Sequence, residues 1–236
     1  MNIDKLSHRL EAVAGYIPPN SILADIGSDH AYLPCYAMNK GIIQRAVAGE
    51  VSEGPLRSAL KQVQSAGLKE YIDVRKGDGL EVIKPGEVEC ITIAGMGGTL
   101  ISSILERGSS KLQGVKRLIL QPNIGAANIR NWLVENSWEL VTEEILEEDQ
   151  KIYEILVAER GEPMKPYQVE KEAGFLMGPF LMKEKSDVFL KKWAMELEHM
   201  KRILLQLDQA GETESLKGKK EELQSHILVV EGVLQK

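Results

Sequence analysis

Acidic side chains and glycines stand where several apolar runs of this sequence end. Asp25 and Gly27 close the run LADIG, and Asp29 and His30 follow in the next loop. Glu50 closes a later run, about twenty residues after the turn, which is the spacing of an acid that binds ribose hydroxyls. A glycine turn followed at this distance by a carboxylate predicts a binding site for a nucleoside.

A third run end supports the same kind of site. Asp78 stands between Gly77 and Gly79, where its carboxylate is placed to accept a hydrogen bond from the amino group of an adenine ring. The next ends read AGMGG and QPN. The pattern Gly-x-Gly-x-x-Gly is absent, and this disfavours a dehydrogenase.

The elements between these ends follow the pattern of an α/β protein. Apolar, β-branched runs of strand length are separated by stretches with room for a helix, and they occupy residues 22–27, 45–51, 71–77, 90–96 and 117–123. Such alternation predicts a parallel sheet with helices on both faces, and ligands bind such sheets beyond the carboxyl ends of the strands. Residues 138–147 and 152–158 then predict an antiparallel hairpin. Five parallel strands closed by a hairpin form the sheet of the class I methyltransferases.

Helical patterns flank this sheet on both sides. Residues 4–14 predict a helix that ends before Pro18 and Pro19. We expect a first domain over residues 1–160 and a helical domain over residues 161–236. In the second domain, two apolar stripes separated by a break from Gly211 to Gly218 predict an antiparallel, coiled-coil-like hairpin. The stripes comprise Phe189, Trp193, Leu197, Met200, Leu204 and Leu207, and Leu223, Ile227, Val230 and Leu234.

Composition and charge exclude several classes of protein. No apolar run is long enough to span a membrane, and the charged N-terminus lacks the apolar core of a signal peptide. Cys35 and Cys90 lie in apolar contexts without the partners of a metal site, so we expect two reduced, buried thiols in a cytoplasmic protein. The net charge of −6 argues mildly against a nucleic-acid partner.

Six motifs, in this order, make the chain similar to a known family. The motifs LSHRLEAVAGYIP, ADIGSDHAYLP, AGE, GDGL, ITIAGMGG and LILQPN resemble those of the bacterial tRNA (adenine(22)-N1)-methyltransferases. The resemblance covers the whole chain, including the helical tail. It implies an S-adenosylmethionine-dependent class I methyltransferase with a C-terminal coiled-coil domain, acting on N1 of an adenine in tRNA.

The resemblance also assigns residues to the cofactor. It places Asp25 and Gly27 in the cofactor loop, Glu50 at the ribose and Asp78 at the adenine. The complete cofactor-binding set that we expect is Asp25, Gly27, Asp29, Glu50, Gly77, Asp78, Ala94, Gly95 and Met96. The last three would line the methionine and target side. Enzymes that methylate exocyclic amines often carry an Asn/Asp-Pro-Pro-aromatic loop there, and a ring nitrogen with its own lone pair does not require one.

Asp29 and His30 are the predicted catalytic residues. Methyl transfer to a neutral adenine moves positive charge onto the base, and a fixed carboxylate near the base would stabilise that charge. Asp29 has a second possible role, which is to hold the cationic methionine amine. His30 would contact the base, orient Asp29, or serve only as a structural turn residue. Tyr32 would stack on a flipped-out base or belong to the core.

The helical domain is the predicted contact with the tRNA backbone. Its lysines group in one short stretch and at the predicted break, namely Lys183, Lys185, Lys191 and Lys192, and Lys217, Lys219 and Lys220. Such groups supply sequence-independent affinity for phosphates. If these lysines form only a solvated surface, the contacts would lie on the N-terminal helix around Arg9. We expect a monomer that binds no metal.

Two other functions are compatible with the sequence. The same fold would serve a class I methyltransferase with a different substrate, because a fold alone does not determine the substrate. A cofactor-binding module whose helical hairpin recruits a partner is the other alternative. The intact acids at the strand ends argue against that module.

Overall fold

The structure, a computed structural model, describes residues 2–209 and 214–235. The chain divides into two compact units, Met1–Pro163 and Met164–Lys236. The division follows Pro163, whereas the sequence suggested a boundary after residue 160. No described helix is both long and apolar enough to cross a membrane.

A seven-stranded sheet forms the centre of the first unit, with the strand order β3-β2-β1-β4-β5-β7-β6. The first five strands are parallel, and β7 pairs antiparallel with both β5 and β6. This arrangement confirms the predicted sheet with its closing hairpin. The strands are β1 (Ser21–Ile26), β2 (Ile43–Glu50), β3 (Ile72–Lys76), β4 (Cys90–Gly97), β5 (Arg117–Ile124), β6 (Trp138–Glu148) and β7 (Lys151–Arg160).

Helices connect these strands, and the apolar side chains between helices and sheet form the core. Val13, Leu23, Cys35 and Ile119 are among its fully buried members. The helices of this unit are α1 (His8–Gly15), α2 (Tyr32–Asn39), α3 (Glu53–Ser65), α4 (Gly98–Arg107) and α5 (Ala126–Glu135).

Both cysteines are free and buried, as the sequence predicted. Burial raises the pKa of the Cys35 thiol to about 11 and that of the Cys90 thiol to about 12. Both thiols are therefore protonated at neutral pH, a state that makes them poor nucleophiles.

The predicted start of the N-terminal helix was wrong. The helix begins at His8, and Ser7 caps it by accepting a hydrogen bond from the Leu10 N–H group at 3.3 Å. Upstream, the Asn2 side chain accepts hydrogen bonds from the N–H groups of Asp4 and Lys5 and forms a local turn. These side-chain bonds to the backbone compete with an earlier helix start.

A buried ion cluster joins α5 to the closing hairpin. Arg130 is fully buried, and its guanidinium contacts Glu143 of β6 and Glu154 of β7 at 2.6 and 2.5 Å. Buried charges are tolerated only when such partners are in place. The cluster therefore fixes the helix against both strands of the hairpin.

Two long helices, α8 (Asp187–Gln209) and α9 (Glu214–Leu234), pack against each other in the second unit. Lys201 pairs with Glu231 and Lys220 with Asp208, so α8 and α9 run antiparallel, as predicted. Two shorter helices that the sequence did not indicate precede them, α6 (Lys171–Met177) and α7 (Leu181–Glu184). The buried members of the two long helices include Phe189, Trp193, Met200, Ile227, Val230 and Val233.

The predicted break between the two long helices was too long. Gly218 lies inside α9, which begins at Glu214, and the lysines at 217, 219 and 220 are helical. One glycine costs a helix only about 1 kcal/mol relative to alanine, and packing against α8 offsets that cost. Gly211 lies outside the described residues.

Candidate functional site

The candidate site begins with two acidic residues at the carboxyl ends of β1 and β2. Asp25 is buried and accepts hydrogen bonds from the hydroxyls of Ser28 and Thr92 at 2.5 and 2.6 Å. Burial raises the pKa of Asp25, and the two hydroxyl donors oppose that rise. Asp25 thus fastens the loop after β1 to the neighbouring strand β4.

Glu50 ends β2 and is 5 % exposed. One of its carboxylate oxygens accepts a hydrogen bond from the backbone N–H group of Asp29. Burial raises the pKa of Glu50, and the bond from Asp29 lowers it in part. Among the described residues, no donor contacts the second oxygen. This carboxylate can therefore accept hydrogen bonds from a bound ligand.

The loop after β1 has an unusual backbone. Asp29, His30 and Ala31 have φ angles of 36°, 66° and 54°, so three consecutive non-glycine residues occupy the left-handed region. Such residues cost about 1–3 kcal/mol each and tend to occur at functional sites. The preceding Gly27 also has a positive φ, and a Cβ atom there would clash with the Cε atom of Met96.

The loop presents Asp29 and His30 to solvent. The side chain of Asp29 is 72 % exposed, and the Nε2 atom of His30 lies 3.4 Å from its Oδ1 atom. The His30 ring stacks on Tyr32, with centroids 5.3 Å apart. His30 is thus placed to orient Asp29, and one face of the Tyr32 ring is partly occupied.

At the end of β3, Asp78 follows Gly77. The carboxylate of Asp78 is half-exposed and pairs with Arg107 of α4, at 2.8 Å from Nη1 and 3.4 Å from Nη2. Arg107 was not predicted as a site residue, because it is far from Asp78 in the sequence and lies in a helix, not at the end of a strand. The loop after β1 links Asp25 and Glu50, because its Ser28 hydroxyl donates to Asp25 and its Asp29 N–H group donates to Glu50. Asp78 lies at a separate strand end of the same sheet edge.

The ends of β4 and β5 are tied together by side chains of β5. A bulge in β4 places Gly95 at φ 80°, and its N–H group donates to the Oε1 atom of buried Gln121 at 3.0 Å. The Gly95 carbonyl accepts from the Nδ2 atom of Asn123 at 2.8 Å. Arg9 of α1 also donates to Gln121, and its guanidinium lies 5.1 Å from the centroid of the Tyr153 ring.

Three polar residues at this end were noted in the sequence, but two received no role. Gln121 and Asn123 belong to the run end QPN, and Arg9 was assigned only to a possible RNA contact. The sequence signal that could have identified Gln121 and Asn123 as site residues was their position at the end of a predicted strand. The structure places Arg9 at the carboxyl edge of the sheet.

The four lysines predicted to bind RNA lie in the helical unit. Lys185 donates to the Val233 carbonyl at 2.9 Å and so caps the last turn of α9. The amino groups of Lys183 and Lys192 lie 5.5 and 5.1 Å from the ring centroids of Phe180 and Trp193. Lys191 is exposed on α8. No group of three or more potential metal ligands occurs within residues 2–209 and 214–235.

The fold and the position of the acids define the class of protein. Five parallel strands, an antiparallel closing hairpin and acids at the ends of the first three strands are the features of a class I methyltransferase. The family model described as tRNA (adenine(22)-N(1))-methyltransferase matches residues 23–232. The chain belongs to that family.

Individual relatives cover nearly the whole chain. The tRNA (adenine(22)-N(1))-methyltransferase of Bacillus subtilis is 54 % identical over 235 residues, with 99 % of each chain covered. The crystal structure of the B. subtilis M1A22 tRNA methyltransferase TrmK superposes with a TM-score of 0.95 at 53 % identity, covering 98 % of this chain and 99 % of that one. The structure of Streptococcus pneumoniae Sp1610, a putative tRNA (m1A22) methyltransferase, in complex with S-adenosyl-L-methionine superposes with a TM-score of 0.86 at 44 % identity. The match covers 98 % of this chain and 100 % of that one.

Proposed function

We propose that this chain transfers the methyl group of S-adenosylmethionine to N1 of adenine 22 in tRNA. The description of its family names this reaction, and a relative of 44 % identity was solved with S-adenosylmethionine. The observation in this chain that carries the proposal is the buried Glu50 carboxylate, which has an oxygen available at the carboxyl edge of the sheet.

The residues at this edge fit the cofactor. The available oxygen of Glu50 would accept hydrogen bonds from the ribose hydroxyls, and the half-exposed Asp78 would accept one from the adenine amino group. Asp25 would act by holding Ser28 and therefore the loop in place. The remaining members of the proposed set provide backbone at the strand ends: Gly27, Gly77, Ala94, Gly95 and Met96.

The bound cofactor supplies an electrophilic methyl group on a sulfonium sulfur. N1 of adenine has a lone pair and no proton, so no residue has to remove a proton before attack. The lone pair forms the bond to the methyl carbon, the sulfur keeps the electron pair of the broken bond, and the base becomes positively charged.

Two roles for Asp29 fit this reaction. Its carboxylate would stabilise the charge on the base, with His30 orienting it from 3.4 Å. Alternatively, Asp29 would hold the cationic methionine amine. The exposure of the Asp29 side chain makes it accessible to either partner.

The helical unit would bind the tRNA backbone. Lys183, Lys191 and Lys192 are the candidates on its surface, whereas Lys185 already caps α9. Arg9 would contribute at the sheet edge, where it binds Gln121. We further propose that the chain acts as a monomer in the cytoplasm, without a metal ion.

The test of this function uses labelled S-adenosylmethionine and unmodified tRNA transcripts with adenine or guanine at position 22. We expect label only in the adenine transcript, with mass spectrometry identifying 1-methyladenine at that position. Equal labelling of both transcripts would contradict the proposed target.

The variant Asp29→Asn distinguishes the two roles of that residue. If Asp29 stabilises charge on the base, single-turnover methylation at saturating cofactor falls while the affinities for cofactor and tRNA persist. If Asp29 holds the methionine amine, cofactor affinity falls together with activity. A turnover equal to that of the unmodified protein would be inconsistent with both roles.

A further inference from the structure

We infer that Asn123 recognises the amino group of the target adenine and so determines which base is methylated. The inference rests on the proposed function, because it requires that the acceptor base lies beside the ends of β4 and β5. Its starting point is the contact between the Asn123 side chain and the backbone of Gly95.

That contact fixes the orientation of the Asn123 amide. The Gly95 carbonyl is an acceptor, so the Nδ2 donor of Asn123 must face it, at 2.8 Å. The Oδ1 atom is then the free end of the side chain. Among the described residues no donor contacts Oδ1, and Asn123 as a whole is exposed.

Gly95, whose carbonyl binds the Asn123 side chain, is itself held in place by a second hydrogen bond. Gly95 donates its N–H group to Gln121, a residue with no exposed surface, and Gln121 uses its Nε2 atom to bind the Pro122 carbonyl at 2.8 Å. Both polar groups of Gly95 are thus occupied by side chains of β5. The Oδ1 acceptor of Asn123 is therefore held in a fixed position relative to the ends of β4 and β5.

The chemistry of the adenine edge matches such an acceptor. Adenine carries its amino group, a donor, beside the N1 lone pair that must face the methyl group. Guanine carries an oxygen and an N1–H group at the corresponding positions. An acceptor next to the methylation site would bind the adenine amino group and would face the guanine oxygen with like polarity.

The same hydrogen bond would assist the reaction. Positive charge that develops at N1 spreads to the amino nitrogen and makes its hydrogens better donors. A fixed acceptor at that position is bound more strongly in the transition state than in the ground state, which is the condition for raising the rate.

The test combines a protein variant with a substrate that lacks the amino group. Two tRNAs are used, one with adenine at position 22 and one with unsubstituted purine, which lacks the amino group. Each is incubated with the unmodified protein, with Asn123→Ala and with the control Asn128→Ala, and the rate of methylation is measured. Asn128 of α5 is a matched control because its Nδ2 atom donates to the Thr99 hydroxyl in the first turn of α4, at 2.9 Å. Calorimetric affinity for S-adenosylmethionine verifies that each variant retains its cofactor site.

We expect Asn123→Ala to lower kcat/KM about tenfold for the adenine tRNA and to leave the purine tRNA nearly unchanged. Asn128→Ala should retain the preference of the unmodified protein. An equal loss on both substrates would show that Asn123 acts only through the Gly95 peptide and would overturn the inference, as would no loss on either. A failure of the proposed function is distinguishable, since the unmodified protein would then leave the adenine tRNA unmethylated.

Discussion

Glu50 combines deep burial with a negative charge, and its pKa contributes to how the stability of the ligand-free protein responds to pH. Burial raises this pKa above the ordinary glutamate value. The folded state therefore binds a proton more readily than the unfolded state, and the stability contributed by this group decreases as the pH rises through the folded pKa. The ionised form, however, is the one that best accepts hydrogen bonds from ribose hydroxyls.

We predict opposite effects of Glu50→Gln on cofactor binding and on stability at neutral pH. Loss of the charge-assisted bonds should cost about 1.5–3 kcal/mol of S-adenosylmethionine affinity. The ligand-free variant should have a higher Tm, because no buried charge remains at this position. Calorimetric titration and thermal unfolding measure the two quantities.

The pH dependence provides the control. For the unmodified protein, cofactor affinity should fall as the pH decreases, beginning above the ordinary titration range of glutamate, and Glu50→Gln should lack that dependence. Identical pH profiles for the two proteins would argue against Glu50 as the ribose ligand.

The residue positions at this edge were predictable to different degrees. Glu50 and Asp78 could be placed because parallel strands bring their carboxyl ends to one edge of a sheet. The left-handed backbone of residues 29–31 could not, because Asp, His and Ala carry no signal for three consecutive positive φ angles. The contact between Arg9 and Gln121 joins residues that are distant in sequence, and no local pattern reveals such pairs.

Among the elements, α5 and the closing hairpin depend on each other through Arg130. We predict that Arg130→Met destabilises the protein by about 3–5 kcal/mol, because Glu143 and Glu154 would remain buried without this cation. Urea denaturation at neutral pH measures the change. The control Arg57→Met removes an exposed partner of Glu53 and should leave the unfolding midpoint nearly unchanged. Equal midpoints for both variants would contradict the role of the cluster.

Long, strongly patterned elements were predictable, and short ones were not. The apolar stripes of α8 and α9 extend over several turns, so their period is evident in the sequence. Helix α6 has seven residues and α7 has four, and such lengths hold too few turns to establish a period. The buried Arg130 lies in a helix that otherwise has an ordinary pattern, and sequence alone gives no indication that its charge is enclosed.

For the whole molecule, the net charge of −6 requires that any tRNA contact depend on local groups of basic residues. We predict that changing Lys183, Lys191 and Lys192 together to Gln weakens tRNA binding and flattens its salt dependence. The log–log slope should decrease by roughly 0.7–0.9 for each phosphate that the variant no longer binds. Filter binding at several salt concentrations measures this slope.

A charge-matched control comes from the first unit. Lys61, Lys69 and Lys116 are exposed there, and changing them to Gln alters the net charge equally. We expect that variant to retain most of the slope. If the slope decreases equally in both triple variants, the helical unit has no special role in tRNA binding. Affinity for S-adenosylmethionine should persist in each.

The buried cluster at Arg130 also constrains how this enzyme is made. Synthesis proceeds from the N-terminus, and the partners of Arg130 follow it by 13 and 24 residues. A nascent chain that has released α5 but not β7 holds a cation without its full complement of carboxylates. Glu154 lies in β7, the last strand of the first unit, so the cluster is complete only after nearly all of that unit has been translated.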